Sequence, residues 1–225
     1  MNSITLQRPF VWNERRILIE DRVLYVPALC DTSGFVFPGW DDTRIFGNTN
    51  PVHIEYCSGN GDWIAGKALA NPDINWVAVE QKFPRTRKIW AKVKKHNLSN
   101  LFIVCGEGHI TTKLYFPCNS VKVVYINFPD PWPKTRHAKN RIIQSDFMSE
   151  ISRIMETKGH FVFVTDDASY SEWTTKIVLR EPDFVASYPD PFYTTDESDY
   201  GYSYFGQLWR QKGKTIRHHK FQKIL

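Results

Sequence analysis

Cysteine is sparse in this chain: four residues in 225 (Cys30, Cys57, Cys105 and Cys118), with no C-x-x-C pair among them. That spacing argues against a zinc ribbon, a redox dithiol or a disulfide framework, and reduced thiols are the expectation. Long apolar runs are missing too, since no stretch approaches the roughly 20 residues that a membrane-spanning helix needs. Met1–Phe10 lacks the apolar run of a signal peptide. A cytoplasmic protein with no membrane partner is therefore expected. No internal repeat or low-complexity segment is visible. Charge of one sign is not in great excess: the net charge is +5 and the pI about 8.9. That leans toward a polyanionic partner without defining one. What is present suits a packed core, with 42% hydrophobic and 24% charged residues. Aromatic residues reach 15%, including eight Trp, enough for stacking surfaces as well as a core.

Residues 51–225 read as one α/β domain. Short apolar runs predict strands at Val52–Tyr56, Trp76–Glu80, Leu101–Cys105, Val121–Phe128 and His160–Thr165. Amphipathic segments predict helices at Trp63–Ala70, Phe83–Lys95, Arg141–Thr157 (closed by Gly159) and Ser169–Leu179. The tail from Phe184 to Leu225 reads as a closing pair of strands flanking a loop with Asp190–Gly201. Alternating strands and helices predict a mostly parallel sheet covered on both faces. Residues 1–50 carry proline, glycine and aromatics without clear periodicity, and form an extension packed on or flanking that domain. The basic start (Arg8, Arg15, Arg16) suits a mobile arm, and Phe35–Trp40 suits a packed strap.

Four motifs fall at the carboxyl ends of the predicted strands, where α/β folds bind nucleotides. After the first comes Glu55-Tyr56-Cys57-Ser58-Gly59-Asn60-Gly61. Gly59 and Gly61 permit positive φ and close approach of backbone to a ligand. The third glycine of the dinucleotide fingerprint is absent, because position 64 is Ile. Glu55 would repel a pyrophosphate at such a turn, yet it would favour S-adenosylmethionine, which has no phosphate and carries a sulfonium and an ammonium. Glu80 ends the second strand about twenty residues beyond Gly59, a spacing suited to ribose hydroxyls. Glu107, in Cys105-Gly106-Glu107-Gly108-His109, could accept from an adenine amino group. The fourth motif is Asn127-Phe128-Pro129-Asp130-Pro131-Trp132-Pro133-Lys134. Its prolines stiffen a loop that can aim Asp130 beside a methyl donor and an incoming base, with Lys134 reaching a phosphate or the base edge. His218-His219 has no carboxylate or Cys partner at ligand spacing, so no metal is expected.

The segment Phe128-Pro129-Asp130-Pro131-Trp132-Pro133-Lys134, followed by His137–Arg141, resembles the signature loop of bacterial tRNA (guanine-N7)-methyltransferases. The likeness runs from about Pro51 to Ser169 and includes Thr165-Asp166 after the fifth strand. It implies a Rossmann-like class I methyltransferase fold with a seven-stranded, mostly parallel sheet and helices on both faces. It implies S-adenosylmethionine as donor, S-adenosylhomocysteine as product, and N7 of a guanine in the variable loop of tRNA as acceptor. By the same resemblance Glu55, Cys57, Gly59, Gly61, Glu80, Glu107 and Asp130 bind the donor. Asp130 is the catalytic residue, Lys134, Asp166 and Ser203 face the substrate, and the protein acts as a monomer or homodimer. Three positions depart from the family: Cys57 replaces a Gly, Glu107 an Asp, and Ser203-Tyr204-Phe205-Gly206 the Thr-x-x-Glu near the C-terminus. Gly206 lacks that motif's carboxylate, and Asp199 is an acidic residue nearby. Two rivals stay open on the residues alone: the same fold acting on another RNA or a small molecule, and a non-catalytic tRNA-binding relative.

Overall fold

Apolar runs bounded by turn residues become strands in a computed structural model that describes residues 5–196 and 198–225. Residues 1–4 of the expected extension and Glu197 of the expected Asp190–Gly201 loop lie outside the described residues. The chain forms two compact units, Met1–Phe116 and Pro117–Leu225.

In the first unit a 3-10 turn (Trp12–Glu14) precedes β1 (Leu18–Glu20) and β2 (Val23–Val26). There follow β3 (Val52–Tyr56), α1 (Asp62–Ala70), β4 (Asn75–Glu80), α2 (Phe83–His96), β5 (Leu101–Gly106) and α3 (Gly108–Tyr115). Its strands lie in the order β1-β2-β5-β4-β3, parallel except for the β1–β2 hairpin. Every residue of β4 and β5 is buried, which is why these strands read as continuous apolar runs rather than as alternations. Thr86, Ile89, Trp90 and Val93 form the buried stripe of α2, and Asn97 ends that helix in a left-handed conformation.

The second unit holds β6 (Val121–Asn127), a 3-10 segment (Thr135–Asn140), α4 (Ser145–Ile154), β7 (Met155–Thr165) and α5 (Ala168–Val178). It continues with β8 (Phe184–Ala186), a 3-10 turn (Ser198–Tyr200), α6 (Tyr204–Gln211) and β9 (Arg217–Lys223). Its order is β6-β7-β9-β8, with β6–β7 parallel and the remaining pairs antiparallel. The expected seven strands, mostly parallel, are therefore corrected to nine of mixed direction among the described residues. The surplus pair is β1 and β2, drawn from the stretch that shows no periodicity.

The helix expected over Arg141–Thr157 is shorter, because Met155 already has extended backbone and opens β7. Between the pairs Val121↔Met155 and Val123↔His160 the register shifts, so β7 bulges. Gly159 sits in that bulge, where a Cβ would lie 2.8 Å from both Glu156 O and Lys122 O. Its role is close packing within the sheet, in place of ending a helix.

Candidate active site

The turn from Cys57 to Gly61 links β3 to α1 and is held by backbone and side-chain bonds. Ser58 Oγ donates to Glu55 O at 2.8 Å, Ser58 N to Val79 O at 3.2 Å, and Gly61 N to Ser58 O at 2.9 Å. Cys57 (φ 59°), Gly59 (φ 58°) and Gly61 (φ 75°) are all left-handed. At Gly61 an added Cβ would sit 2.7 Å from Ile89 of α2, so the close helix contact demands glycine. At Gly59 the same test finds only Cys57 O, at 3.9 Å, leaving the backbone of the turn open toward a ligand.

Glu55, next to last in β3, and Glu80, the last residue of β4, are 3% and 5% exposed, so two carboxylates are drawn into the interior beside the turn. Glu80 is tied down at both oxygens: Gly59 N donates to Oε2 at 2.9 Å and Lys82 N to Oε1 at 2.8 Å. The Arg85 guanidinium stands 3.8 Å from Oε2. Glu107 is the N-cap of α3, accepting from His109 N at 3.0 Å and Ile110 N at 2.7 Å. Burial raises the pKa of Cys105, at the β5 end, above the usual thiol value. An open glycine turn beside buried carboxylates fits a cationic nucleoside such as S-adenosylmethionine, and would disfavour a phosphate ligand.

The proline-rich loop of the second unit begins where Phe128 N donates to Val164 O at 2.8 Å, continuing the β6–β7 ladder. Phe128 (φ 48°) and Trp132 (φ 45°) then adopt left-handed backbone, which is uncommon for bulky side chains. Pro129 is buried, whereas Asp130 and Lys134 are exposed and make no ion pair among the described residues. Trp132 is 36% exposed and meets the His137 ring edge-on at 6.0 Å. Asp166, just after β7, pairs with Lys214 Nζ at 2.5 Å. Ser203 caps α6 by accepting from Gly206 N at 3.3 Å. A Cβ on Gly206 would lie 3.6 Å from Phe128, so the head of α6 packs on the proline loop.

Of the expected site residues, the first unit brings Glu55, Cys57, Gly59, Gly61 and Glu80 to one turn and puts Glu107 at the head of α3. The second unit brings Ser203 to the loop that carries Asp130 and Lys134, while Asp166 turns to Lys214. Sequence reasoning missed Arg141, taken as the first residue of a helix. It is 5% exposed and donates from Nε to Pro131 O at 2.9 Å. Its only sequence signal is a cation set directly against Ile142 and Ile143. Among the described residues no group of three His, Cys, Asp or Glu side chains is placed to hold a metal. No described helix is long and apolar enough to cross a membrane.

Residues 49–219 match a family model described as "Putative methyltransferase". Among solved structures, the 16S rRNA methyltransferase KamB aligns with a TM-score of 0.55 at 12% identity, over 80% of this chain and 91% of that one. Matched turn, strands and family model define a class I, S-adenosylmethionine-dependent methyltransferase with a Rossmann-like fold. The tRNA (guanine-N(7)-)-methyltransferase of Chlamydia caviae is 40% identical over 99% of this chain and 98% of the relative. That of Chlamydia felis is 40% identical over 100% and 99%. This chain belongs to the tRNA (guanine-N7)-methyltransferase family.

Proposed function

We propose that the protein transfers a methyl group from S-adenosylmethionine to N7 of a guanine in the variable loop of tRNA. The observation that carries this reading is Asp130, exposed in a loop whose backbone is locked on both sides, in a chain with family relatives along nearly its whole length. Residues 51–225 form the methyltransferase domain, with residues 1–50 as an extension to it. Gly59 and Gly61 let the donor approach the backbone, Glu80 takes the ribose hydroxyls, Glu107 the adenine amino group, and Glu55 favours its positive charge. Cys57 completes the turn.

When bound, the donor supplies a methyl group on a sulfonium. Guanine N7 carries an in-plane lone pair, so no proton has to leave before attack and no side chain is required as general base. The protein's task is alignment, which can lower a barrier by roughly 7–11 kcal/mol in favourable cases. Asp130 orients the donor or accepts from guanine N1–H and the amino group, while Lys134, Asp166 and Ser203 contact the substrate. N7 lies in the deep groove of an RNA helix, which side chains do not read, so the target guanine must be unstacked or in a loop. Trp132, Tyr202, Tyr204 and Phe205, exposed by 36%, 58%, 55% and 43%, offer stacking faces for it.

The deciding experiment incubates the protein with labelled donor and tRNA lacking the modification, then identifies the methylated nucleoside. 7-Methylguanosine is expected, and Asp130→Ala should lower kcat by about a hundredfold or more. A different methylated nucleoside, or full turnover in Asp130→Ala, would refute the assignment of substrate or of residue respectively.

A further inference from the structure

Arg141 is buried to 5% exposure and has no carboxylate paired with it among the described residues. Its guanidinium lies over the rings of Tyr170 and Trp173 of α5, at 4.7 and 5.3 Å. Those rings are themselves fixed: Trp173 Nε1 donates to Ile143 O at 2.7 Å, and Tyr170 Oη accepts from Ile143 N at 3.3 Å. From this aromatic seat Arg141 reaches two segments at the carboxyl ends of β6 and β7. Nε donates to Pro131 O at 2.9 Å, and Nη2 to Ser169 Oγ at 3.2 Å.

A buried guanidinium normally has an acid beside it. Here its directed partner is the carbonyl between Asp130 and Trp132, and that bond fixes the plane of the peptide leading into Trp132. Trp132 is the residue whose left-handed backbone would otherwise relax. A charge-assisted hydrogen bond is stronger than a neutral one, and the planar fork sets a direction that an ammonium cannot.

We propose that Arg141 is a positioning residue for methyl transfer: it holds the Pro131–Trp132 peptide, and through it the orientation of Asp130 and Trp132. The proposal rests on the methyl-transfer reading only for its kinetic consequence. The structural consequence can be read without donor or tRNA.

The test uses full-length Arg141→Ala and Arg141→Lys, labelled with 5-fluorotryptophan, with the Trp132 resonance assigned through Trp132→Phe. In Arg141→Ala the Trp132 fluorine line should shift and broaden, while those of Trp63 and Trp76 stay in place. kcat on tRNA should fall by about a hundredfold, with donor affinity from calorimetry changed by less than about threefold. Arg141→Lys keeps the buried charge and stem, so it serves if the Ala variant does not fold, and it should move both readouts in the same direction. An unmoved Trp132 line, or a kcat unchanged in the presence of a moved line, overturns the proposal. So does loss of donor or tRNA binding with the line unmoved, which would mark a direct contact. If the wild type fails to methylate guanine N7, the methyl-transfer reading fails, and the fluorine spectra still decide what Arg141 does to the loop.

Discussion

Glu80 commits both carboxylate oxygens to backbone amides, one of them at Gly59 in the turn where the donor is proposed to bind. Each oxygen keeps a further lone pair for a ribose hydroxyl, so one side chain both shapes the turn and offers acceptors. Glu80→Gln keeps the size of the side chain but sets an NH2 against one of those two backbone N–H donors, so it loses that bond together with the charge. A hydrogen bond to a charged group is worth about 1.5–3 kcal/mol, so calorimetry should show donor binding weakened by about 10- to 100-fold, with tRNA affinity unchanged. An unaltered donor Kd would take Glu80 out of the site. Gly206 poses the opposite case. It occupies the third helical position after the Ser203 cap, where Glu completes a capping box. The nearest atoms to an added Cβ are Ser203 Cβ at 3.4 Å and Phe128 Cζ at 3.6 Å, ordinary contact distances. Gly206 is itself buried, so the new carboxylate is accommodated only by bonding the Ser203 amide. With that bond made, Gly206→Glu should stabilise the protein by about 1 kcal/mol in urea unfolding, by removing glycine from a helix and closing the box. If the missing carboxylate once served guanine, kcat/KM on tRNA should rise as well, whereas a fall in stability would show that α6 cannot take the side chain.

At the scale of elements, legibility followed burial and turn chemistry. The strands β4 and β5 could be read because parallel strands buried on both faces leave near-continuous apolar runs, and Val52–Tyr56, though interrupted by His53 and Glu55, matches its expected bounds. The β1–β2 hairpin could not be read, since its two-residue turn is Asp21-Arg22 with φ 46° and 65°. Asn-Gly or Asp-Gly would have announced such a turn. Arg22 accounts for its own strain by contacts invisible in sequence, donating to Leu101 O at 3.1 Å and to Ser99 O. The glycine turn and the Asp130 loop were legible because glycine and proline write backbone conformation directly. Arg141 was not, because its partner is a carbonyl, and carbonyls have no sequence. The surroundings of His219 on β9 were equally hidden, since its partner is 48 residues away: it is fully buried, and its Nε2 lies 2.8 Å from Ser171 Oγ of α5. Burial, more than the neighbouring Arg217 and His218 charges, pushes its pKa down to about 4, and a backbone hydrogen bond with Phe192 opposes that shift. In the unfolded chain it titrates near the ordinary value of about 6.5. Between those two values the unfolded state binds the extra proton, so stability is full above about pH 6.5 and falls as pH drops toward 4. The loss from this residue should approach about 3 kcal/mol. Urea unfolding from pH 8 to 4 should show that slope, and His219→Gln should flatten it. An unchanged slope would assign the acid sensitivity to other groups.

For the whole molecule, the relevant quantity is how much of its mild positive charge remains available to RNA. The net charge is +5, and part of the basic surface is already paired with carboxylates. Along α2 and its approach, Arg85, Lys92 and Lys94 are engaged by Glu80, Asp62 and Asp21. Lys82, Arg87, Lys88 and Lys95 are exposed and make no ion pair among the described residues. A run of basic residues is often just a solvated face, and the pairing already divides this one into structural and available halves. If the available four neutralise phosphates, the log–log dependence of tRNA affinity on salt should have a slope of about −2.8 to −3.6. Replacing Lys88 and Lys95 by Gln should reduce the slope by about 1.5 while leaving donor binding unchanged. Replacing Lys92, held by Asp62, should alter it far less. Filter-binding titrations between low and physiological salt measure all three, and an affinity indifferent to salt would show that this helix face takes no part in holding tRNA.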